Sequence, residues 1–157
     1  SGTEDILYFY NSNFYSGKRK LAGYLAAMEE KECGTDPLTQ FYQGSHEDIH
    51  AMTAYLQRLH DRGTVFHGVI ASDDVLALAA VRYARENKYR IPEDFSVLGY
   101  NNSMLTICCE PELTSIDNKL EILCQHLITT LLGVLEGNEM PKKTVFSGEI
   151  VKRGTTK

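Results

Sequence analysis

The chain has 157 residues, 43% of them apolar and 24% charged, with a formal net charge of −5. One core can be buried at this size, and nothing in the composition calls for a second complete domain. The basic residues are scattered rather than interleaved with aromatics, so the stripe that would neutralise phosphates is missing and this segment is not expected to bind DNA itself.

Taken in chain order, the first apolar run gives a strand at about 5–10, followed by a helical stripe of Leu21, Tyr24, Leu25 and Met28 that Gly34 ends. A weak strand at 38–43 leads to a second stripe, Ile49, Met52, Tyr55, Leu56 and Leu59, ended by Gly63. A strand at 65–71 precedes Val75, Leu78, Ala79 and Val81, and Pro92 follows that helix. A strand at 95–100, a long stripe Leu120, Leu123, Leu127, Leu131 and Leu135 ended by Gly137, and a strand at 144–151 complete the chain. Alternation of this kind implies right-handed βαβ crossovers and a parallel sheet with helices on both faces. The longest apolar runs, Ile6 to Tyr10 and Val65 to Ala71, are too short to cross a bilayer, so no membrane partner and a soluble location are expected.

Parallel strands end on one edge, and polar residues collect there: Asn11-Ser12-Asn13, Gln43-Gly44-Ser45, Ser72-Asp73-Asp74 and Asn101-Asn102. Edges of this kind hold ligands in α/β sheets. Asp, Asn and Ser also cap helices, and that is the role expected of Asp74 and Ser16. The pair Asp73-Asp74 gives little support for catalysis, because neighbours at a strand end diverge. Lys18, Arg19 and Lys20 stand near the start of the first helix, against its dipole, which favours an anionic or hydroxyl-rich neighbour.

His46-Glu47-Asp48-Ile49-His50 matches HExxH, in which two histidines one turn apart hold zinc. Here Gly44-Ser45 begins a helix, Ser45 and Asp48 form an N-cap pair, and Thr53 and Leu56 break the extended third-ligand pattern. No zinc, no peptidase activity and no cofactor are therefore expected. Cys33, Cys108, Cys109 and Cys124 lack both CxxC spacing and disulfide density, so reduced thiols are expected.

Four stretches carry a resemblance: Ala71 to Ala80, Arg90 to Asn102, Pro111 to Ile116, and Val151-Lys152-Arg153-Gly154-Thr155-Thr156. With Lys20-Leu21-Ala22-Gly23-Tyr24, they resemble the effector-binding core of the LacI/GalR family of bacterial transcription regulators. The resemblance implies an α/β fold, a parallel-sheet βαβ lobe of the periplasmic-binding-protein-like type I, present as a partial domain. It implies that residues 1–112 form the second lobe without its first strands. Residues 113–157 would be a crossover segment, a helix of the first lobe and a C-terminal strand. The family's effector arginine falls on Lys20, its strand-end Asn/Asp on Asp73, and the first acidic residue of its Gly-Tyr/Phe-Asp-Asp motif on Asn101; Phe14 and Ser16 fall in the loop over the ligand. Lysine lacks the guanidinium fork, and Asn101 is neutral where aspartate is usual. Leu78 falls on a position the family uses in a two-fold homodimer, together with the loop matching Met104 to Cys109. The implied function is not enzymatic: a cytoplasmic module binding a small effector, a sugar, and reaching operator DNA only through a headpiece outside this chain. The alternative is a periplasmic-type sugar-binding protein of a transport system.

Overall fold

In the computed structural model, which describes residues 5–31, 37–45 and 47–157, the alternating pattern becomes one six-stranded sheet. The elements are β1 (Ile6–Tyr10), α1 (Tyr15–Glu30), β2 (Leu38–Phe41), α2 (Ile49–Asp61), β3 (Gly68–Ala71), α3 (Asp74–Glu86) and β4 (Ser96–Tyr100). A 3-10 turn, Met104–Ile107, then leads to β5 (Thr114–Asp117), α4 (Leu120–Leu135) and β6 (Glu149–Val151). The sheet order is β2-β1-β3-β4-β5-β6. Because β1 feeds leftward to β2 while β2 and β3 feed rightward, right-handed crossovers put α1 on one face and α2 and α3 on the other. Leu7, Phe9, Val69, Ala71 and Val97 point to the α2/α3 face and join Met52, Leu56, Leu76 and Tyr83 in the main core. On the α1 face Tyr8, Tyr24 and Met28 make a smaller cluster, with Tyr8 stacked between Tyr10 and Tyr24 at 5.3 and 5.1 Å.

Several expectations are corrected. A sixth strand, β5, lies where the sequence suggested only a crossover, since Thr-Ser-Ile-Asp carries a single large apolar residue. The sheet is not wholly parallel, because β5 and β6 pair antiparallel. Only Glu149–Val151 of the expected 144–151 strand forms, and Val145 is exposed. The second helix begins at Ile49, not at Gly44-Ser45; its N-cap is Asp48, which accepts from the Ala51 N–H at 2.8 Å, while Ser45 Oγ accepts only from Glu47 N–H. His46, Cys33 and Gly34 lie outside the described residues.

The broad apolar surface of α3 is already covered within the chain. Leu76, Ala77, Ala79, Ala80, Val81, Tyr83 and Ala84 are all buried, packed by the sheet and by α2, whose Thr53 hydroxyl reaches the Ile49 and Ala79 carbonyls. Helix α4 is the opposite case: only Gly133 is buried, and Leu120, Leu127, Leu131 and Leu135 are 58–74% exposed.

Candidate functional site

The edge where β1 and β3 end is the point at which strand order reverses, and α/β sheets place ligands there. The loop after β1 turns tightly into α1, since a Cβ on Gly17 would stand 2.1 Å from the Ser12 carbonyl oxygen. Helix α1 is thereby held low over the sheet. Its Lys20 ammonium donates to the Ser72 carbonyl at 2.8 Å and lies 3.7 Å from the centre of the Tyr100 ring. Burial pushes the Lys20 pKa below its ordinary value, and the nearby Asp73 and Asp74 carboxylates oppose that shift. A groove of about 580 Å³ opens here, lined by Tyr8, Ser16, Arg19, Lys20, Ser72 and Tyr100 among others. At its floor the Tyr8 hydroxyl is buried without a hydrogen-bond partner among the described residues, and burial raises its pKa to about 12.

The cap role expected of Asp74 falls to its neighbour. Asp73 is the N-cap of α3, Oδ1 accepting from the Leu76 N–H at 2.9 Å, and it stays half-buried at the groove's edge. Asp74 is 2% exposed and points inward, accepting from the Ser115 hydroxyl at 2.6 Å and the Ser103 N–H at 2.7 Å. Gly99 leaves the space it fills, since a Cβ there would lie 2.4 Å from Asp74 Oδ1. Ser16 does not cap either: Phe14 is the N-cap of α1, without a side-chain bond, and Ser16 is exposed in the first turn. Phe14 and Tyr15 are 84% and 80% exposed at the start of α1.

Asn101 and Asn102 follow Tyr100 with positive φ of 107° and 48°, a region that asparagine enters more readily than most residues. Asn101 is exposed; its Oδ1 accepts from Asn118 Nδ2 at 3.0 Å. Asn102 is held on three sides, by Arg153 on its Oδ1, the Ser115 hydroxyl on its N–H, and Asp117 beside its amide. Arg153 also donates to the Leu113 carbonyl. The turn that carries Asn101 is thus tied to β5, to the chain leaving it and to the C-terminal segment.

The structure places Lys20 and Ser16 in the lining of one groove, with Asp73 near enough to the Lys20 ammonium to act on its charge, while Phe14 and Asn101 are exposed and outside that lining. Leu78 is elsewhere, half-buried in a shallow depression of α3 with Val81, Arg82, Arg85 and Cys109. Met104 and Ile107 of the 3-10 turn are 78% and 59% exposed. Sequence reasoning missed Tyr100 as the seat of Lys20, although alternation along β4 puts residues 96, 98 and 100 on the α1 side. It also missed Asp74, Ser115 and Arg153 as supports of the asparagine turn. Among the described residues no group of three or more His, Cys, Asp or Glu is placed to hold a metal ion, and no helix is long and apolar enough to cross a membrane.

Residues 1–156 match the family described as periplasmic binding protein-like domain. A relative from Lachnoclostridium phytofermentans named HTH-type transcriptional regulator is 42% identical over 99% of this chain and 46% of its own length. The HTH-type transcriptional repressor CytR of Escherichia coli K12 is 27% identical over 88% of this chain and 40% of its own. In structure, a dimeric Lac repressor with a C-terminal deletion is similar at a TM-score of 0.85 and 23% identity, over 98% of this chain and 55% of that one. A transcriptional regulator CelR–cellobiose complex is similar at 0.82 and 24%, over 97% and 46%. The chain spans less than half the length of the curated relatives it matches. The named relatives are transcription regulators rather than transport proteins.

Proposed function

The chain belongs to the periplasmic binding protein-like domain family, in its LacI/GalR branch of transcription regulators, and from this we propose that it is the effector-binding and dimerisation module of such a regulator. The observation that carries the reading is Lys20, seated on Tyr100 and the Ser72 carbonyl beside Asp73 at the switch point of the sheet. An ammonium with donors to spare, a carboxylate with one oxygen beyond its cap bond, an amide at Asn101 and aromatic faces at Tyr100 and Phe14 suit a small polyhydroxyl ligand, a sugar. Phe14 and Ser16 close over it, and α4 docks on a first lobe whose remaining elements lie outside residues 1–157. Ligand closes the lobes, shifting a two-state equilibrium, and the change reaches operator DNA through a headpiece elsewhere in a cytoplasmic homodimer. The module performs no catalysis.

Calorimetric titration of the longer protein with a panel of neutral mono- and disaccharides, cellobiose included, tests the reading. One sugar should bind, and Asp73→Ala and Asn101→Ala should each weaken it at least fivefold while both variants stay folded. No binding across neutral sugars, with binding of a nucleoside or a peptide instead, or unchanged affinity in both variants, would overturn it.

A further inference from the structure

Backbone strain among the described residues gathers at one joint. Four residues other than glycine have positive φ there, and three of them, Asn101 at 107°, Asn102 at 48° and Lys119 at 54°, stand just past the ends of β4 and β5. A Cβ disfavours this region, and a residue stays in it only where its surroundings hold it. The Asn101 N–H donates to the Ile116 carbonyl at 2.9 Å, while its exposed side chain accepts from Asn118. Asn102 is held more firmly. Its N–H donates to Ser115 Oγ at 3.0 Å, its Oδ1 accepts from Arg153 Nη2 at 2.8 Å, and its Nδ2 lies 3.5 Å from Asp117 Oδ2. A neutral amide suits this place because it offers an acceptor to the cation and a donor to the anion. A carboxylate would keep Arg153 and repel Asp117.

The guanidinium that grips this amide is mounted rigidly. The Arg153 N–H donates to Thr114 Oγ1 at 2.9 Å and the Gly154 N–H to the Glu112 carbonyl at 2.9 Å, and a Cβ on Gly154 would stand 2.7 Å from Pro111 Cβ. Next along the chain, Thr155 is wholly buried and its hydroxyl donates to the Val97 carbonyl at 2.7 Å. The Arg153 side chain is 16% exposed, with the Glu112 carboxylate 3.7 Å from its Nε. Its two short bonds go instead to uncharged oxygens, the Leu113 carbonyl at 2.9 Å and Asn102 Oδ1. Fixing one arm of a planar fork aims the other, so the Leu113 bond orients the grip on Asn102. The contacts continue beyond the amide. Asp117 Oδ1 accepts from the Lys119 N–H at 2.7 Å, and the Lys119 ammonium reaches Glu149, the register partner of Asp117 on β6. Arg153, Asn102, Asp117, Lys119 and Glu149 thus form one line, spanning the chain that leaves β5 for α4 and the chain that returns through β6.

We propose that Arg153 is a positioning residue for the effector site: by gripping Asn102 it keeps the Asn101-Asn102 turn left-handed, with Asn101 presented to the ligand, and sets that turn against the two chain passages at the ends of β5 and β6. The part given to Asn101 rests on the sugar-binding function proposed for the module; the hold of Arg153 on the turn does not. Without the guanidinium the turn relaxes toward ordinary φ while Lys20 keeps its seat on Tyr100 and Ser72, so the ligand loses one side of its site.

Arg153→Gln in the longer protein tests this with two readouts. Amide hydrogen exchange of the ligand-free variant should quicken about tenfold or more in peptides covering Asn101 to Ser103, and less than about twofold in peptides of α1 and α2. Calorimetric titration with the panel of neutral mono- and disaccharides should show affinity weakened about tenfold. An arginine with a merely structural role would quicken exchange across the whole sheet alike. That uniform pattern, exchange at the turn unchanged from the parent, or unchanged affinity for a sugar that binds the parent, overturns the proposal. A second pair of variants keeps the test decisive if Arg153→Gln does not fold. Asn102→Asp alone should weaken binding and quicken the same peptides, because of Asp117. Combined with Asp117→Asn, which reverses the polarity of the bridge and keeps both of its links, it should return both readouts to within about threefold of the parent. A single variant that behaves as the parent, or a pair no better than the single, overturns the proposal. If no sugar of the panel binds the unaltered protein, the sugar-binding function fails, and the exchange readout alone decides the role of Arg153.

Discussion

Replacing Asp74 removes the acceptor that joins three parts of the molecule. Its Oδ1 accepts from the Ser115 hydroxyl of β5 at 2.6 Å, and Oδ2 from the Ser103 N–H at 2.7 Å. Hydrogen bonds to a charged group contribute about 1.5–3 kcal/mol each, and a buried donor left without its partner costs about 1–3 kcal/mol. Asp74→Ala should therefore destabilise the chain by about 3–5 kcal/mol, which for a protein of this size lowers the midpoint of thermal unfolding by roughly 10 °C. Asp74→Asn keeps an acceptor for the Ser103 N–H, and its amide can donate to Ser115 Oγ, which has a second lone pair besides the one used by Asn102 N–H. That variant should lose about half as much. Urea unfolding followed by circular dichroism, at several protein concentrations because α4 is apolar and exposed, measures both. An alanine variant within about 1 kcal/mol of the parent, or an asparagine variant no better than alanine, would refute the role assigned to the network.

Tyr8→Phe should change the alkaline limb of stability. The unfolded tyrosine releases its proton near 10 and the folded one near 12, so above pH 10 the unfolded state holds fewer protons and wild-type stability falls as pH rises. Relative to Tyr8→Phe the loss should approach about 2–3 kcal/mol by pH 12, and a difference that is flat from pH 9 to 12 would contradict the buried, unpartnered hydroxyl. Lys20→Met should weaken sugar binding in the longer protein at least tenfold, about 1.4 kcal/mol, whereas Lys18→Met, turned about 200° away on the helix, should change it less than twofold; equal effects in titration would remove Lys20 from the site. Leu78→Glu should dissociate a dimer of the longer protein in sedimentation, since the variant puts a charge in the shallow depression that Leu78 shares with Val81 and Cys109, and an unaffected dimer would move the interface elsewhere.

What could be read from residues alone follows from which signals are periodic. The four helices have stripes of large apolar side chains at helical spacing, and all four form where the stripes lie. Strand β5 has no such signal: Thr114 and Ser115 are buried because they hydrogen-bond, the first to Thr155 and Thr156 and the second to Asp74, and no hydropathy pattern reports that. That Asp73 rather than Asp74 caps α3 was equally hidden. Both side chains suit an N-cap, and the choice is made by Gly99 on the neighbouring strand and Ser115 two strands away in the sheet. The apolar residues of α3 were legible but their cover was not, because α2 and the sheet that bury them come from distant parts of the chain. At the groove, Lys20, Asp73 and Asn101 were legible through the family motifs, while Tyr100 and Arg153 matter through contacts 80 and 51 residues away in sequence, with Lys20 and Asn102 respectively.

The substitution of lysine for the family's arginine has a consequence that the geometry makes concrete. An arginine offers five donors in a fixed plane; Lys20 has three, and one is spent on the Ser72 carbonyl. Its charge is further engaged by the Tyr100 ring at 3.7 Å and by the carboxylates of Asp73 and Asp74. A second anionic group on the ligand would therefore meet Asp73 with one partly desolvated ammonium to offset it and, from the exposed Arg19 of the groove's lining, a charge screened by water, and Asn101, neutral here, adds no countercharge. A neutral ligand avoids that repulsion: it can accept from the free Lys20 donors, donate to Asp73 and lay a C–H face on an aromatic ring. On this argument the proposed effector is an unphosphorylated sugar, and a phosphorylated form of the same sugar should bind at least tenfold more weakly to the longer protein. Asp73→Asn should narrow that gap by relieving the repulsion, and a phosphorylated sugar that binds as well as its neutral counterpart to the unaltered site would refute the charge argument.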